Sequence, residues 1–172
     1  MTKPSIKKIL SYTSQALVFV AIFYAITLWQ QKDMLETGSQ NLAPSFALVD
    51  MDGNLVKFDP KAQTKQTLIY FFAPWCPVCH ASIDNIESIK KSTGNRVNFL
   101  IIALDWKNKQ QVEEFLAQHE LTIAVLLGTQ STLTQFQIGG FPSYYVISDT
   151  GRLTSKDMGY TTELGMRLRL GF

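Results

Sequence analysis

The chain has 172 residues, of which 46% are hydrophobic, and its formal net charge is +2. Domains cluster at about 100–150 residues, so this length indicates one domain with an appendage. From Gln30 onward, thirteen basic and fourteen acidic residues leave a charge of −1, which excludes a basic surface for binding nucleic acid.

The first predicted element is an uncharged run of 20 residues, Leu10 to Trp29. A helix of this length crosses a hydrocarbon core about 30 Å thick. Three lysines precede the run, whereas Lys32 beyond it is offset by Asp33. Cytoplasmic flanks carry the excess of basic residues, so the sequence predicts a transmembrane signal-anchor over residues 10–29 with residues 1–9 in the cytoplasm.

Two alternatives to an anchor remain for this run. A cleaved signal peptide needs small residues at positions −3 and −1, and the one candidate site, near Ala25, has Phe23 at −3. A core helix of a soluble protein would show a polar face, and Val18 to Ile26 shows none. Residues 30–42 are polar and unpatterned and are expected to be a linker to a domain over residues 43–172.

Strands and helices alternate in the pattern after Ala43, which predicts an α/β domain, a mixed sheet with helices on both faces. The strands are expected at Phe46–Val49 and Leu55–Phe58 (a hairpin), Thr67–Ala73, Val97–Leu104, Ile123–Leu127, and Ser143–Ser148 with Leu153–Lys156 (a second hairpin). The helices are expected at Pro77–Lys91, Lys109–His119, Ser131–Phe136 and Thr162–Leu170.

The two cysteines of the chain, Cys76 and Cys79, stand between a predicted buried strand and a predicted helix. A helix N-terminus favours negative charge, so Cys76 is expected to be the attacking thiolate. Pro77 suits the first helical position. Cys79, one turn further along, would resolve the mixed disulfide. The motif predicts a redox-active disulfide that exchanges with protein thiols without a cofactor.

Other observations concern metals and substrate contacts. His119 lies forty residues after Cys79 on a different predicted element, so the spacing fits no zinc site and no metal is predicted. Trp75, directly before the cysteines, suits contact with a bound peptide, although simple packing is the alternative. Phe141-Pro142, after two glycines, is a candidate for a cis peptide bond, with an ordinary trans turn left open.

The segment Phe71 to Cys79 resembles the active-site segment of thioredoxin, and residues from about Ala43 to Phe172 resemble the TlpA/ResA-like branch of membrane-anchored thiol-disulfide oxidoreductases. The Cys-Pro-Val-Cys sequence is also similar to that of ScsD-like proteins. This resemblance implies a thioredoxin fold with an N-terminal β-hairpin and a cis Pro142 beside the cysteines. It implies further that the Phe141 backbone bonds a substrate strand, with Trp75 and Pro77 counted among the substrate-binding residues.

The same resemblance implies a setting and partners. The domain is expected on the periplasmic side of a bacterial inner membrane, with protein thiols and disulfides as substrates. A membrane redox partner would recycle the cysteine pair, and the chain would act as a reductant rather than an oxidant.

Two positions depart from the family pattern. Tyr70 stands where thioredoxin has a buried aspartate that helps move protons from the second cysteine, so another group or water would serve here. Asp84 is expected to be a solvated surface acid instead of that group. Val78 stands where strongly oxidising relatives carry histidine, so a less oxidising potential is expected.

An alternative function comes from Cys76 to His80, which also match the CxxCH pattern of c-type haem attachment. His80 would then ligate iron, with a methionine such as Met158 opposite. The buried strand before the motif and the Gly-Phe-Pro element oppose this, and they favour His80 as a surface helix residue or a modulator of the thiol charge. A non-catalytic module that holds copper or a partner's thiol is a further alternative.

Overall fold

The computed structural model describes residues 6–172, with side chains described from residue 12 onward. Helix α1, Ile6–Gln31, is the first element. Its stretch Tyr12–Gln31 has a mean hydropathy of 1.5 and is long and apolar enough to cross a membrane. A signal sequence would share these properties. Of the nine residues expected in the cytoplasm, the first five lie outside the described part of the chain.

Residues 33–172 form a separate unit around a mixed sheet whose strands run in the order β2-β1-β5-β4-β3-β6-β7. The strands are β1 Phe46–Asp50, β2 Leu55–Phe58, β3 Gln66–Phe72, β4 Val97–Ala103, β5 Val125–Leu127, β6 Ser143–Ile147 and β7 Leu153–Met158. The helices are α2 Pro77–Thr93, α3 Lys109–Leu116, α4 Gln130–Gln135 and α5 Glu163–Leu170. The predicted alternation of strands and helices is confirmed.

Strand β3 is an interior strand next to the middle strand β4, and it pairs in parallel with β4 and antiparallel with β6. Its residues after Gln66 are all buried, which is why the sequence shows a continuous apolar run instead of alternation. Successive side chains point to opposite faces of a strand. Tyr70 and Phe72 therefore enter the core cluster that contains α2 and both cysteines, whereas Ile69 and Phe71 enter the cluster on the other face.

Residues 30–42 were expected to be a linker, but the chain packs onto the domain from Met34 onward. The Met34 side chain lies in the second core cluster and is only 2% exposed. The Leu35 N–H donates to the Tyr145 hydroxyl at 3.0 Å, and the Gly38 N–H donates to the Leu153 carbonyl at 2.8 Å. The buried Met34 side chain and these backbone bonds make the segment part of the folded unit.

Candidate active site

The cysteine pair lies at the junction between the end of β3 and the start of α2. Cys76 is the N-cap of α2, and Pro77 occupies the first turn, as predicted. The Cys79 backbone N–H donates to the Cys76 sulfur at 3.2 Å. Both thiols are free, and both residues are buried, with Cys79 completely so. One of the unpaired N–H groups at the start of the helix thus points at the sulfur that is expected to carry negative charge.

The Phe141-Pro142 segment lies against the first cysteine. The Cys76 thiol donates to the Phe141 carbonyl oxygen at 3.5 Å, and the Phe141-Pro142 peptide bond is cis, as the resemblance implied. The Gly159 N–H donates to the Pro142 carbonyl at 2.8 Å, which ties this loop to the end of β7. The structure therefore brings together two segments 65 residues apart in the sequence.

Trp75, directly before Cys76, is 58% exposed. Its indole N–H lies 3.0 Å from the Asp105 carboxylate and 3.2 Å from the Asp105 carbonyl. Its ring meets the Phe141 ring edge-on, with centroids 5.9 Å apart. Asp105 is a contact that was not predicted from the sequence. A usable signal existed, because Asp105 follows β4, whose carboxyl end lies beside that of β3.

Burial controls the second cysteine. Desolvation, followed by its contact with Cys76, raises the pKa of the Cys79 thiol well above its ordinary value of 9.0. Desolvation likewise raises the pKa of Tyr70, whose ordinary value is 10.0. The Ser82 hydroxyl donates to the Val78 carbonyl at 2.8 Å, so the Tyr70 hydroxyl, 2.9 Å from Ser82, is the donor of that pair. Tyr70 is therefore a neutral hydrogen-bond donor in the core.

His80 is not the solvated helix residue that was expected. It is half-buried, with Nε2 3.1 Å from the Pro74 carbonyl and Nδ1 2.9 Å from Nε2 of His119. Met158 packs with the second core cluster, whereas both cysteines belong to the first. This arrangement opposes the haem interpretation, because both nitrogens of His80 are engaged and Cys79 faces the core.

Asp84 has a side chain that is 70% exposed, as expected of a surface acid, and it contacts His119 at 3.0 Å. Within residues 12–172, no group of three or more histidine, cysteine, aspartate or glutamate side chains is arranged to hold a metal ion.

Comparison with known proteins places these features in a family. The sequence model of the Redoxin family matches residues 37–166. The thioredoxin-like protein YneN of Bacillus subtilis is 22% identical over 160 residues, which are 90% of this chain and 92% of YneN. The sporulation thiol-disulfide oxidoreductase A of the same organism is 24% identical over 127 residues, 68% of this chain and 72% of that protein.

The methylamine utilization protein MauD of Methylorubrum extorquens is 30% identical over 122 residues, 70% of this chain and 58% of MauD, so the chain spans about three fifths of that relative. Among solved structures, a thioredoxin family thiol:disulfide interchange protein from Chlorobium tepidum has a TM-score of 0.66 at 23% identity, over 76% of this chain and 93% of that one. StoA from Bacillus subtilis has a TM-score of 0.64 at 18% identity, over 75% and 98% respectively. These likenesses show the thioredoxin fold.

Proposed function

The chain belongs to the Redoxin family and is a thiol-disulfide oxidoreductase, and from this premise we propose that Cys76 attacks its protein substrates and that Cys79 resolves the mixed disulfide. The observation that carries this assignment is the helix N-terminus at Cys76, where the Cys79 N–H donates to the Cys76 sulfur at 3.2 Å. Cys79 stays a thiol because burial raises its pKa, so the two sulfurs are unequal before any partner binds.

The reaction follows from this inequality. The Cys76 thiolate attacks one sulfur of a partner's disulfide, and the partner's second sulfur leaves as a thiolate. Cys79 then loses its proton and attacks the Cys76 sulfur, which closes the intramolecular disulfide and releases the partner with two thiols. Two electrons pass from the cysteine pair to the partner. The reverse sequence oxidises a partner dithiol.

Four residues around the sulfur are proposed to bind the substrate chain. Trp75 offers an exposed aromatic face, and Pro77 begins the helix beside it. Pro142 has no N–H, so the backbone groups of Phe141 are the ones available to an extended peptide beside Cys76. Backbone bonds of this kind would hold many different protein thiols, since they do not depend on the substrate's side chains.

The direction proposed for this chain is reduction, supported by Val78 in place of a histidine between the cysteines. The setting proposed is a bacterial inner membrane, with α1 as a single-pass anchor, residues 1–9 in the cytoplasm and the folded domain in the periplasm. A membrane redox protein would return electrons to the Cys76–Cys79 disulfide. The helix Tyr12–Gln31, long and apolar enough to span, supports this setting.

The test of the cysteine roles is substrate trapping in cells. Cys79→Ser is expected to accumulate mixed disulfides with partner proteins, because the attack by Cys76 proceeds and the resolving thiol is missing. Cys76→Ser, the matched control, is expected to trap none. If Cys79→Ser also traps nothing while the reduced protein binds copper tightly, the chain is a binding module instead of a catalyst.

The direction and the anchor need separate measurements. A glutathione redox titration followed by tryptophan fluorescence gives the potential, which for a reductant lies near that of thioredoxin, about −270 mV, and for an oxidant near about −120 mV. Alkaline carbonate extraction is expected to leave the protein in the membrane fraction. Release of the intact chain into the supernatant would count against the anchor.

A further inference from the structure

Beside the cysteine pair, the two histidines of the chain are joined end to end. Nδ1 of His80 lies 2.9 Å from Nε2 of His119. The other nitrogen of His80 lies 3.1 Å from the Pro74 carbonyl, and the other nitrogen of His119 lies 3.0 Å from the Asp84 carboxylate. Four ring nitrogens thus form one unbroken series of three hydrogen bonds between Pro74 and Asp84. The Phe115 ring packs against both imidazoles, with centroids 4.3 and 4.9 Å away.

Counting protons along this series gives its charge. A backbone carbonyl only accepts, so Nε2 of His80 must carry a proton. The Asp84 side chain is 70% exposed, and a solvated aspartate at neutral pH only accepts, so Nδ1 of His119 must carry one as well. The central contact needs one proton between its two nitrogens. Two neutral imidazoles hold two protons, whereas this series holds three.

We propose that His80 and His119 form a proton-sharing pair with one positive charge, which positions the segment Pro74–Cys76 and stabilises the Cys76 thiolate. His80 is tied to both sides of the reactive residue, because its ring bonds the Pro74 carbonyl and its backbone N–H donates to the Cys76 carbonyl at 3.2 Å. The pair acts through this backbone and through its charge, so both histidines are positioning residues. This inference rests on the proposed role of Cys76.

The surroundings of the pair limit the screening of its charge. The His119 side chain is only 8% exposed, so water screens the pair incompletely. The titratable groups near the pair include Asp84 and the two cysteines. Two shallow surface cavities beside the pair are lined by the charged residues Glu87, Lys91, Glu114 and Glu120.

The proton count is tested directly by nuclear magnetic resonance on the full chain in detergent micelles, labelled with ¹⁵N at histidine. At neutral pH, three protonated ring nitrogens and a ¹⁵N–¹⁵N coupling across the central hydrogen bond are expected. Two neutral rings, with one protonated nitrogen each and no coupling, would overturn the proposal. This readout does not require redox activity, so it stands even if the proposed function of Cys76 fails.

The effect on Cys76 is tested with Asp84→Asn. Unlike a carboxylate, the new amide can donate an N–H to His119, which lets two neutral rings satisfy the series, so the third proton is expected to be released. The rate of Cys76 alkylation by iodoacetamide at neutral pH is expected to fall about two- to fivefold, the effect of a partly screened unit charge, and its pH profile is expected to change. The equilibrium with glutathione should shift toward the disulfide by a similar factor.

Glu113→Gln is the matched control, because it makes the same carboxylate-to-amide replacement at a side chain that is 54% exposed and pairs with Lys109 instead of a histidine. It should leave the alkylation rate and the glutathione equilibrium unchanged. Equal effects of the two substitutions, or no effect of Asp84→Asn, would mean that the histidine pair does not act on Cys76, and the assigned role would be wrong.

Discussion

Tyr70 lies fully buried near the cysteines, at the position where thioredoxin has an aspartate. Burial raises the pKa of Tyr70, so its phenol stays protonated and cannot accept the proton that Cys79 would lose in the proposed resolving step. Its hydroxyl donates to Ser82, which in turn donates to the carbonyl of Val78 between the two cysteines. The residue therefore supports the first turn of α2 and leaves proton transfer to water or another group.

Replacing Tyr70 with phenylalanine tests this separation of roles. Tyr70→Phe is expected to lower the free energy of unfolding by about 0.5–1.5 kcal/mol, the net value of a hydrogen bond, and to leave the rate of disulfide exchange unchanged. Urea denaturation and an insulin reduction assay measure the two quantities. Tyr145→Phe is the matched control, since its buried hydroxyl donates to the Phe136 carbonyl in the other core cluster. A large loss of rate in Tyr70→Phe alone would show that the phenol moves protons.

Cys79 makes the stability of the reduced protein depend on pH. Burial, with a smaller contribution from Cys76, raises the pKa of Cys79 above its ordinary 9.0, so the folded chain holds this proton more tightly than the unfolded chain. The stabilisation is complete below pH 9.0 and is lost as pH rises, by up to about 1.4 kcal/mol per pH unit. The oxidised protein has no thiol to titrate.

We therefore expect the urea midpoint of the reduced protein to fall relative to that of the oxidised protein as the solution is made alkaline. The buried tyrosines titrate in both forms and cancel in this difference. Cys79→Ala should remove the excess decline of the reduced protein, so that its pH profile runs parallel to that of the oxidised wild type. Parallel pH profiles for the two redox forms would contradict the prediction.

At this scale, the position of a residue in the fold was predictable where the neighbouring elements are contiguous in the sequence. Cys76, Pro77 and Cys79 were predictable because a strand end, a motif and a helix start are contiguous. His119 was not, because it lies 39 residues from His80 and only the folded chain brings the rings together.

Among the elements, the central strands were predictable because burial on both faces leaves an uninterrupted apolar run. The ends of the helices and strands were less predictable. The helix expected to reach His119 stops as α3 at Leu116, and the N–H groups of Gln118 and His119 turn to the carbonyls of Phe115 and Leu116. These bonds span three residues instead of four and tighten the chain after the helix. Hydrophobic spacing alone gives no sign of such tightening.

The turn between β6 and β7 depends on a glycine that a close approach requires. Gly151 has φ +77°, and a Cβ there would lie 2.0 Å from the Pro60 carbonyl oxygen. Gly151→Ala is expected to lower the free energy of unfolding by about 1–3 kcal/mol through backbone strain, and the steric clash adds a further loss. Gly53→Ala is the control, since Gly53 has φ +87° but nothing within 4 Å of the added carbon. Equal urea midpoints for the two variants would show that the approach to Pro60 is relaxed without cost.

Over the whole chain, the folded unit begins earlier than the sequence suggested. A fragment of residues 33–172 keeps the buried Met34 and the Gly38 bond to Leu153, whereas residues 43–172 lack both. The shorter fragment is expected to be less stable by at least about 2–5 kcal/mol, the usual cost of truncating a buried methionine to alanine. Thermal unfolding of the two fragments measures this loss. Met34→Ala in the longer fragment should reproduce a large part of it, and identical midpoints would mean that the segment is only loosely attached.

The interior position of β3 has a consequence for local opening of the domain. Its amides bond to β4 on one side and β6 on the other, so hydrogen exchange there requires opening of most of the sheet, whereas the edge strand β2 opens by small local fluctuations. The segment that carries Cys76 leaves directly from the end of β3. We therefore expect the Cys76 segment to open together with β3 and not with the edges, so that the spacing of the two thiols persists when the edge strands open locally.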